Sequence, residues 1–259
     1  MTPTPRAILF DTGGTVLDWH GSLVSELRDL GSEPLHGVDP AEFVNEWRRR
    51  SMRAIVGQVR PAFDMDDVHL RALDETVAHF GITALNVSAR QRLWQGWHRL
   101  RAWPDFPPAL ARLRERFSVV SFTMLPLPLV IDVSRSNGLS WDAIVSCQMI
   151  GVYKPHREAY ETALSWLGLR ADEALMVACH NFDLNAAQDT GMRTAFVRRP
   201  LEWGPGGPPD PHPNRTYDLV VDTFDEFAAG LLGGLSGAFS VPAPGSVRSA
   251  SAPRPGSAI

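Results

Sequence analysis

Cysteine is nearly missing from this sequence, with two residues, Cys147 and Cys179, in 259. Two thiols cannot build a disulfide framework, which suits a reducing compartment, and a cytoplasmic location is expected. Long hydrophobic runs are absent as well. The longest last a handful of residues, far short of the roughly 20 that cross a bilayer. The opening Met1-Thr2-Pro3-Thr4-Pro5-Arg6 has no charged leader followed by an apolar stretch. Neither a membrane span nor a secretory signal is therefore expected. Basic runs are lacking too. The 25 Lys+Arg and 29 Asp+Glu leave a formal net charge of −4. That balance argues against nucleic acid as the main ligand and offers no polybasic patch for anionic lipid. No internal repeat is visible.

What is present is an ordinary globular composition, 44% hydrophobic and 21% charged, enough apolar material for a real core. Ala7-Ile8-Leu9-Phe10 is apolar throughout and ends at Asp11, as expected of a strand buried on both faces. Thr12-Gly13-Gly14-Thr15 reads as a tight turn. From about 21 to 101 the spacing is helical (Val24/Leu27/Leu30, Phe43/Trp47), and no strand-like run interrupts it. After Trp103-Pro104, strand and helix alternate. Strands are predicted at 118–122 ending at Thr123, 143–146, 174–178, 194–197 and 219–221. Helices are predicted at 109–117, after Pro126 and Pro128, and at 157–167, 184–189 and 224–232.

Repeated strand–helix units predict an α/β fold, a Rossmann-like parallel sheet with helices on both faces. The expected organisation is a core from 1–16 and 104–232, a helical cap at 17–103 inserted after the first strand, and a disordered Pro/Ser/Ala/Gly-rich tail at 233–259. Trp203 to Pro213 reads as a loop. Tryptophans 94, 97 and 103 suggest an apolar cap surface that would support a homodimer.

In open α/β sheets, ligands sit beyond the carboxyl ends of the strands. Asp11, Thr123, Lys154 and the His180–Asp183 stretch all fall at such places. One carboxylate after a strand is commonly a helix cap; four polar groups at the same end of a sheet point to a site.

These stretches resemble the four motifs of the haloacid dehalogenase superfamily. Ile8-Leu9-Phe10-Asp11-Thr12-Gly13-Gly14-Thr15 resembles the first and Thr123 the second. Lys154 in Val152-Tyr153-Lys154-Pro155 resembles the third, and His180-Asn181-Phe182-Asp183 the fourth. The resemblance implies that Asp11 is a nucleophile forming an ester with substrate. Thr123 would orient Asp11 or the substrate. Lys154 would supply positive charge, and Asp183 would position Lys154 or the hydrolytic water. Phosphatases of this superfamily carry a second aspartate two residues after the nucleophile, to protonate the leaving group. Here that residue is Gly13. A halide needs no proton to leave, so carbon–halogen displacement is favoured, and the usual Mg²⁺ site is weakened. No metal ligand and no cofactor are expected.

Within the superfamily, Asp11-Thr12-X-Gly14-Thr15-Val16-X-Asp18-Trp19 resembles the first motif of the type II 2-haloacid dehalogenases. Trp47-Arg48 resembles their cap pair and Tyr160 their pocket tyrosine. The resemblance places Thr12, Thr15, Arg48, Tyr160 and His180 around substrate and halide, with Arg48 gripping the departing halide. On residue type alone, Arg48 is also a solvated helix residue beside Arg49 and Arg50, and His180 is also a structural histidine. Gly13 replaces the family's aromatic residue, and Thr123-Met124 its Ser-Asn pair. The expected function is hydrolytic dehalogenation of short 2-haloalkanoic acids through an aspartyl ester. A Mg²⁺-dependent phosphatase, a hydrolase of another activated carbon and a non-catalytic binding protein are the alternatives.

Overall fold

The computed structural model describes residues 4–31, 35, 37–56 and 58–233. Six strands form one parallel sheet: β1 (Ala7–Phe10), β4 (Ser118–Thr123), β5 (Ala143–Ser146), β6 (Ala174–Ala178), β7 (Arg193–Val197) and β8 (Leu219–Val221), in the spatial order β5-β4-β1-β6-β7-β8. β1 therefore lies between β4 and β6, with Phe10 paired to Ser121 on one side and Val177 on the other. This register gathers Thr123, which ends β4, and Asp11 and His180, which follow β1 and β6, at one end of the sheet.

The apolar run of β1 is buried on both faces, because successive strand side chains point in opposite directions. Ile8 and Phe10 pack in one apolar layer with Phe106, Phe224 and Phe227. Ala7 and Leu9 pack in the other with Phe122, Tyr160 and Leu184. The flanking helices are α5 (Phe106–Arg114), α6 (Leu127–Asn137), α8 (Arg157–Leu167), α9 (Asn181–Asp189) and α10 (Phe224–Gly233), with a short α7 (Cys147–Ile150) after β5. α5 begins three residues before the expected position because Pro107 and Pro108 fit its first turn, where a missing N–H costs nothing. The 203–213 loop contains one 3₁₀ turn, Gly204–Gly206.

The insertion after β1 carries α1 (Trp19–Asp29), α2 (Pro40–Ile55), α3 (Met65–His79) and α4 (Val87–Gln95). Asp18, Asp39, Asp64 and Asn86 each accept a backbone N–H at a helix start, satisfying donors that would otherwise be orphaned. No strand interrupts the described residues from 21 to 100, but two short strands that the sequence did not predict bracket this block. β2 (Leu17–Asp18) pairs antiparallel with β3 (Arg101–Ala102). Two residues are too few to show a strand period. Among tryptophans 94, 97 and 103, Trp97 is fully buried, while Trp94 and Trp103 are half-buried and donate their indole N–H groups to the Asp66 and Gly14 carbonyls. Of the predicted tail, 234–259 lies outside the described residues. No helix among the described residues is long and apolar enough to cross a membrane.

Candidate active site

Asp11 stands at the centre of the sheet end. Its Oδ2 accepts a 2.7 Å bond from the Thr15 hydroxyl and lies 3.1 Å from His180 Nδ1, while Oδ1 lies 3.5 Å from Lys154 Nζ. The turn after β1 returns Thr15 to Asp11, closed by backbone bonds from Val16 and Leu17 to the Thr12 carbonyl. Gly14 within it has φ +94, and a Cβ there would meet Glu202 Oε1 at 2.2 Å, so only glycine fits. Burial by itself would raise the Asp11 pKa. Lys154 and then His180 overcome that and hold the carboxyl well below its usual range, so Asp11 is ionised.

Lys154 is wholly buried. Its ammonium donates 2.7 Å to Asp183 Oδ2 and 2.8 Å to the Phe122 carbonyl. Burial opposes its charge, but the Asp183 and Asp11 carboxylates raise its pKa and keep it protonated. The other oxygen of Asp183, Oδ1, accepts a 2.6 Å bond from the Tyr160 hydroxyl. Asp183 and Tyr160 are both fully buried, so both carboxylate oxygens of Asp183 are occupied inside the protein.

The cap contributes Arg48. On α2 the buried residues Phe43, Val44, Trp47, Arg48, Ser51 and Ile55 share one face. Arg49 and Arg50 point elsewhere and pair with Glu46 at 2.9 and 2.8 Å. Arg48 is 6% exposed, which removes the solvated reading. Its guanidinium sits between the Trp19 and Trp97 rings, 5.4 and 5.5 Å from their centroids. A Cβ at position 13 would lie 3.9 Å from Arg48 Nη2, so the guanidinium overhangs Gly13, two residues from Asp11. Its Nε and Nη1 are buried without a hydrogen-bond partner among the described residues. Burial lowers the Arg48 pKa, and Glu202 and Asp11 counter it; an arginine nonetheless keeps its charge.

Between these groups is a small cavity with room for water-sized groups of about 20 Å³. Its polar wall is Asp11, Arg48, Thr123 and His180; Gly13, Met52, Met65, Met124, Leu125 and Phe182 complete it. A larger depression of about 450 Å³ between α5 and residues 138–142, beside Arg114 and Asp142, contains none of these residues. Volume is the wrong guide here, because only the small cavity is lined by Asp11, Arg48 and His180.

Three sequence expectations are corrected. Thr12, expected near substrate, turns its hydroxyl to Ser121 Oγ at 2.7 Å. Thr15 bonds Asp11 and accepts from the Cys179 N–H, so it sets the Asp11 rotamer. Tyr160 bonds Asp183 and does not line the cavity. Thr123 does line it, while its hydroxyl accepts the Leu125 N–H at 3.1 Å.

Glu202 was not visible in the sequence. It is 2% exposed and reaches the site from the loop after β7. Its Oε1 lies 2.9 Å from His180 Nε2 and accepts the Trp19 indole N–H at 3.1 Å. Arg199 anchors the loop, bonding the Thr15 carbonyl and both oxygens of Asp105. The only available signal was its place beyond a strand's carboxyl end. Both ring nitrogens of His180 thus face carboxylates, and only an imidazolium donates to both. Burial opposes that charge. The Cys179 sulfur would favour it only as a thiolate, and burial pushes that thiol up to about 11. Glu202 and Asp11 therefore hold the His180 pKa well above its usual value.

Cys179, His180 and Glu202 bring donor atoms within 4.8 Å of one another. His180 already shares a proton with Glu202 and, ahead of Trp19 and Arg48, keeps that carboxyl ionised, while Cys179 stays a neutral thiol. The trio is a proton-sharing network and does not suit a cation. Nor do Asp11 and Asp183 suit Mg²⁺, with the Lys154 ammonium between them and no carboxylate at Gly13.

Residues 5–178 match the haloacid dehalogenase-like hydrolase family, and 152–227 match a related HAD-hydrolase-like family. The solved structure of the L-2-haloacid dehalogenase PA0810 is 33% identical and superposes with a TM-score of 0.82, covering 88% of this chain and 99% of that one. That of the defluorinating L-2-haloacid dehalogenase Rha0230 is also 33% identical, with a TM-score of 0.81 over 88% and 95% of the two chains. The (S)-2-haloacid dehalogenase of Xanthobacter autotrophicus is 28% identical over 202 residues, 75% of each chain. With its α/β sheet, inserted helices and four motif stretches gathered at one sheet end, the chain belongs to the haloacid dehalogenase-like hydrolases and is an enzyme of their 2-haloacid dehalogenase branch.

Proposed function

We propose that this enzyme hydrolyses short 2-haloalkanoic acids without a cofactor, through an ester of Asp11. The observation that carries this reading is the pairing of an ionised, desolvated carboxylate with a buried guanidinium that has unused N–H donors, across a residue with no side chain. In the first half-reaction an Asp11 oxygen attacks C2 of the haloacid and the carbon–halogen bond breaks. Halide leaves toward Arg48, whose free donors stabilise the charge as it develops. Water then cleaves the ester at the Asp11 carbonyl and releases the 2-hydroxy acid. Lys154 counters the Asp11 charge, with Asp183 and Tyr160 fixing the ammonium. The small, methionine-rich cavity favours the shortest substrates. The two free cysteines, Cys147 and Cys179, fit a cytoplasmic enzyme.

The test is a panel of 2-haloacids and phosphate esters, with halide and phosphate measured together, with and without excess chelator. Chelator-insensitive halide release supports the reading. Phosphate release restored by Mg²⁺ overturns it.

A further inference from the structure

The hydrolytic half-reaction needs a base for water, and Lys154 and Asp183 are poorly placed for it. The Lys154 ammonium carries no lone pair. Asp183 spends Oδ2 on Lys154 at 2.7 Å and Oδ1 on Tyr160 at 2.6 Å, is fully buried, and does not line the cavity. Among the described residues, one titratable group both lines the cavity and touches Asp11: His180, with Nδ1 3.1 Å from Asp11 Oδ2. Behind it Nε2 lies 2.9 Å from Glu202, which Trp19 and the Arg199-anchored loop hold in place. A nucleophile, a base within hydrogen-bond reach of it and a third group orienting the base form a recurrent catalytic arrangement.

We propose that His180 is the base that activates water against the Asp11 ester, and that Glu202 is its positioning residue. This rests on the reading of Asp11 as nucleophile. The charges facing His180 are Asp11 after β1, Glu202 after β7, and Arg48 on α2 opposite Glu202; Lys154 lies beyond Asp11, and Cys179 adjoins the ring as a neutral thiol. In the resting enzyme two carboxylates hold the ring as an imidazolium. Alkylation converts Asp11 into a neutral ester and expels halide, so the ring loses one of its two anionic partners. Its Nδ1 proton then passes to solvent, the one proton released per turnover. Neutral His180, with Nε2–H still bound to Glu202, takes a proton from water as the water oxygen bonds to Asp11 Cγ. When the tetrahedral intermediate collapses, the bond from Cγ to the alkyl oxygen breaks. The departing alkoxide takes that proton from Nδ1 and leaves as the hydroxy acid. Asp11, now a carboxylic acid, returns its own proton to Nδ1 and restores the ion pair. The sum is haloacid plus water giving hydroxy acid, halide and one proton.

The experiment is single-turnover and burst kinetics on the intact enzyme with a 2-haloacid, measured by halide release, hydroxy acid formation and intact-protein mass. In His180→Gln the first equivalent of halide should appear at near wild-type rate. Steady-state turnover should fall on the order of 10²–10⁴-fold, the usual contribution of a general base. The protein should gain the mass of the alkyl group at Asp11. Glu202→Gln should also accumulate the ester and shift the pH dependence of its hydrolysis to lower pH, since a neutral amide no longer supports the charged ring; a merely structural role would lower activity without moving that profile. Should either variant fail to fold, the wild type decides alone. In weakly buffered solution with an indicator dye, the proton should appear with halide and before the hydroxy acid. A proton appearing only with the hydroxy acid, or a His180→Gln enzyme with slowed halide release and no adduct, overturns the proposal while leaving Asp11 as nucleophile. Absence of halide release from wild type with every 2-haloacid instead overturns the dehalogenase reading itself.

Discussion

The core wall and the cap wall of the cleft treat their charges in opposite ways. On the core wall every charged atom has a partner: Lys154 has Asp183 and the Phe122 carbonyl, Asp183 has Tyr160, and Asp11 has Thr15 and His180. On the cap wall Arg48 is buried with Nε and Nη1 unpaired among the described residues. Satisfied buried networks fix geometry, whereas a buried donor without a partner costs free energy that a ligand can recover. The core wall thus holds the Asp11 carboxylate in one charge state, and the cap wall leaves Arg48 donors open, as the proposed halide grip requires.

The strongest test of this contrast removes the reactive atom. Asp11→Asn should abolish turnover while leaving the fold intact, because the amide is nearly isosteric but cannot form the carboxyl ester. Kinetics and circular dichroism on a mass-verified sample check it, and substantial residual turnover would refute the nucleophile assignment. Next in size is Arg48→Lys. A lysine lacks the planar fork and should lower kcat by about 10²–10³-fold, the cost of one donor aimed at developing charge, about 2.7–4 kcal/mol. Tm should barely move, since no internal hydrogen bond is lost. Arg49→Lys and Arg50→Lys, whose partner is Glu46, are the controls and should behave as wild type. Equal effects at all three positions would erase the distinction between the two walls.

A core-wall change should act mainly on stability. Tyr160→Phe deletes the 2.6 Å bond to Asp183 and strands a buried carboxylate oxygen, at a cost of about 1.5–3 kcal/mol in denaturant unfolding. The smallest effect is a pH dependence. Asp11 has its pKa lowered from 3.8, so its pairing stabilises the fold above that value and is lost as pH falls through the folded value. His180 has its pKa raised from 6.5, so its contribution is complete below 6.5 and is lost as pH rises through the folded value. Both contributions are complete together between 3.8 and 6.5. The Tm difference between wild type and His180→Gln should be greatest in that window and shrink on either side; a flat difference would remove the ion pair from the account.

Much of this could be read locally. The apolar run before Asp11, the alternation of strand and helix after Trp103 and the polar residues at strand ends each lie within a few consecutive positions, where backbone periodicity alone assigns them. The short strands β2 and β3 escaped because two residues carry no period. Thr12 and Tyr160 were assigned to the pocket from their place in the motifs, but side-chain direction depends on neighbours distant in sequence, Ser121 for one and Asp183 for the other. Arg48 was ambiguous for the same reason, sitting in a row of three arginines of which the helix turns only one inward.

The sequence by itself determined the parallel sheet, the insertion after its first strand, and Asp11, Lys154 and Asp183 as the charged set, because strand patterning and residue type are local properties. Only the tertiary structure decided that Glu202 stands behind His180, that Asp183 has no free oxygen, and that Arg48 faces Gly13 with unused donors. Those are facts of burial and distance. They arise where loops from β1 and β7 and a cap helix converge, and charge state and hydrogen-bond capacity at such a point are set by the neighbours that exclude water.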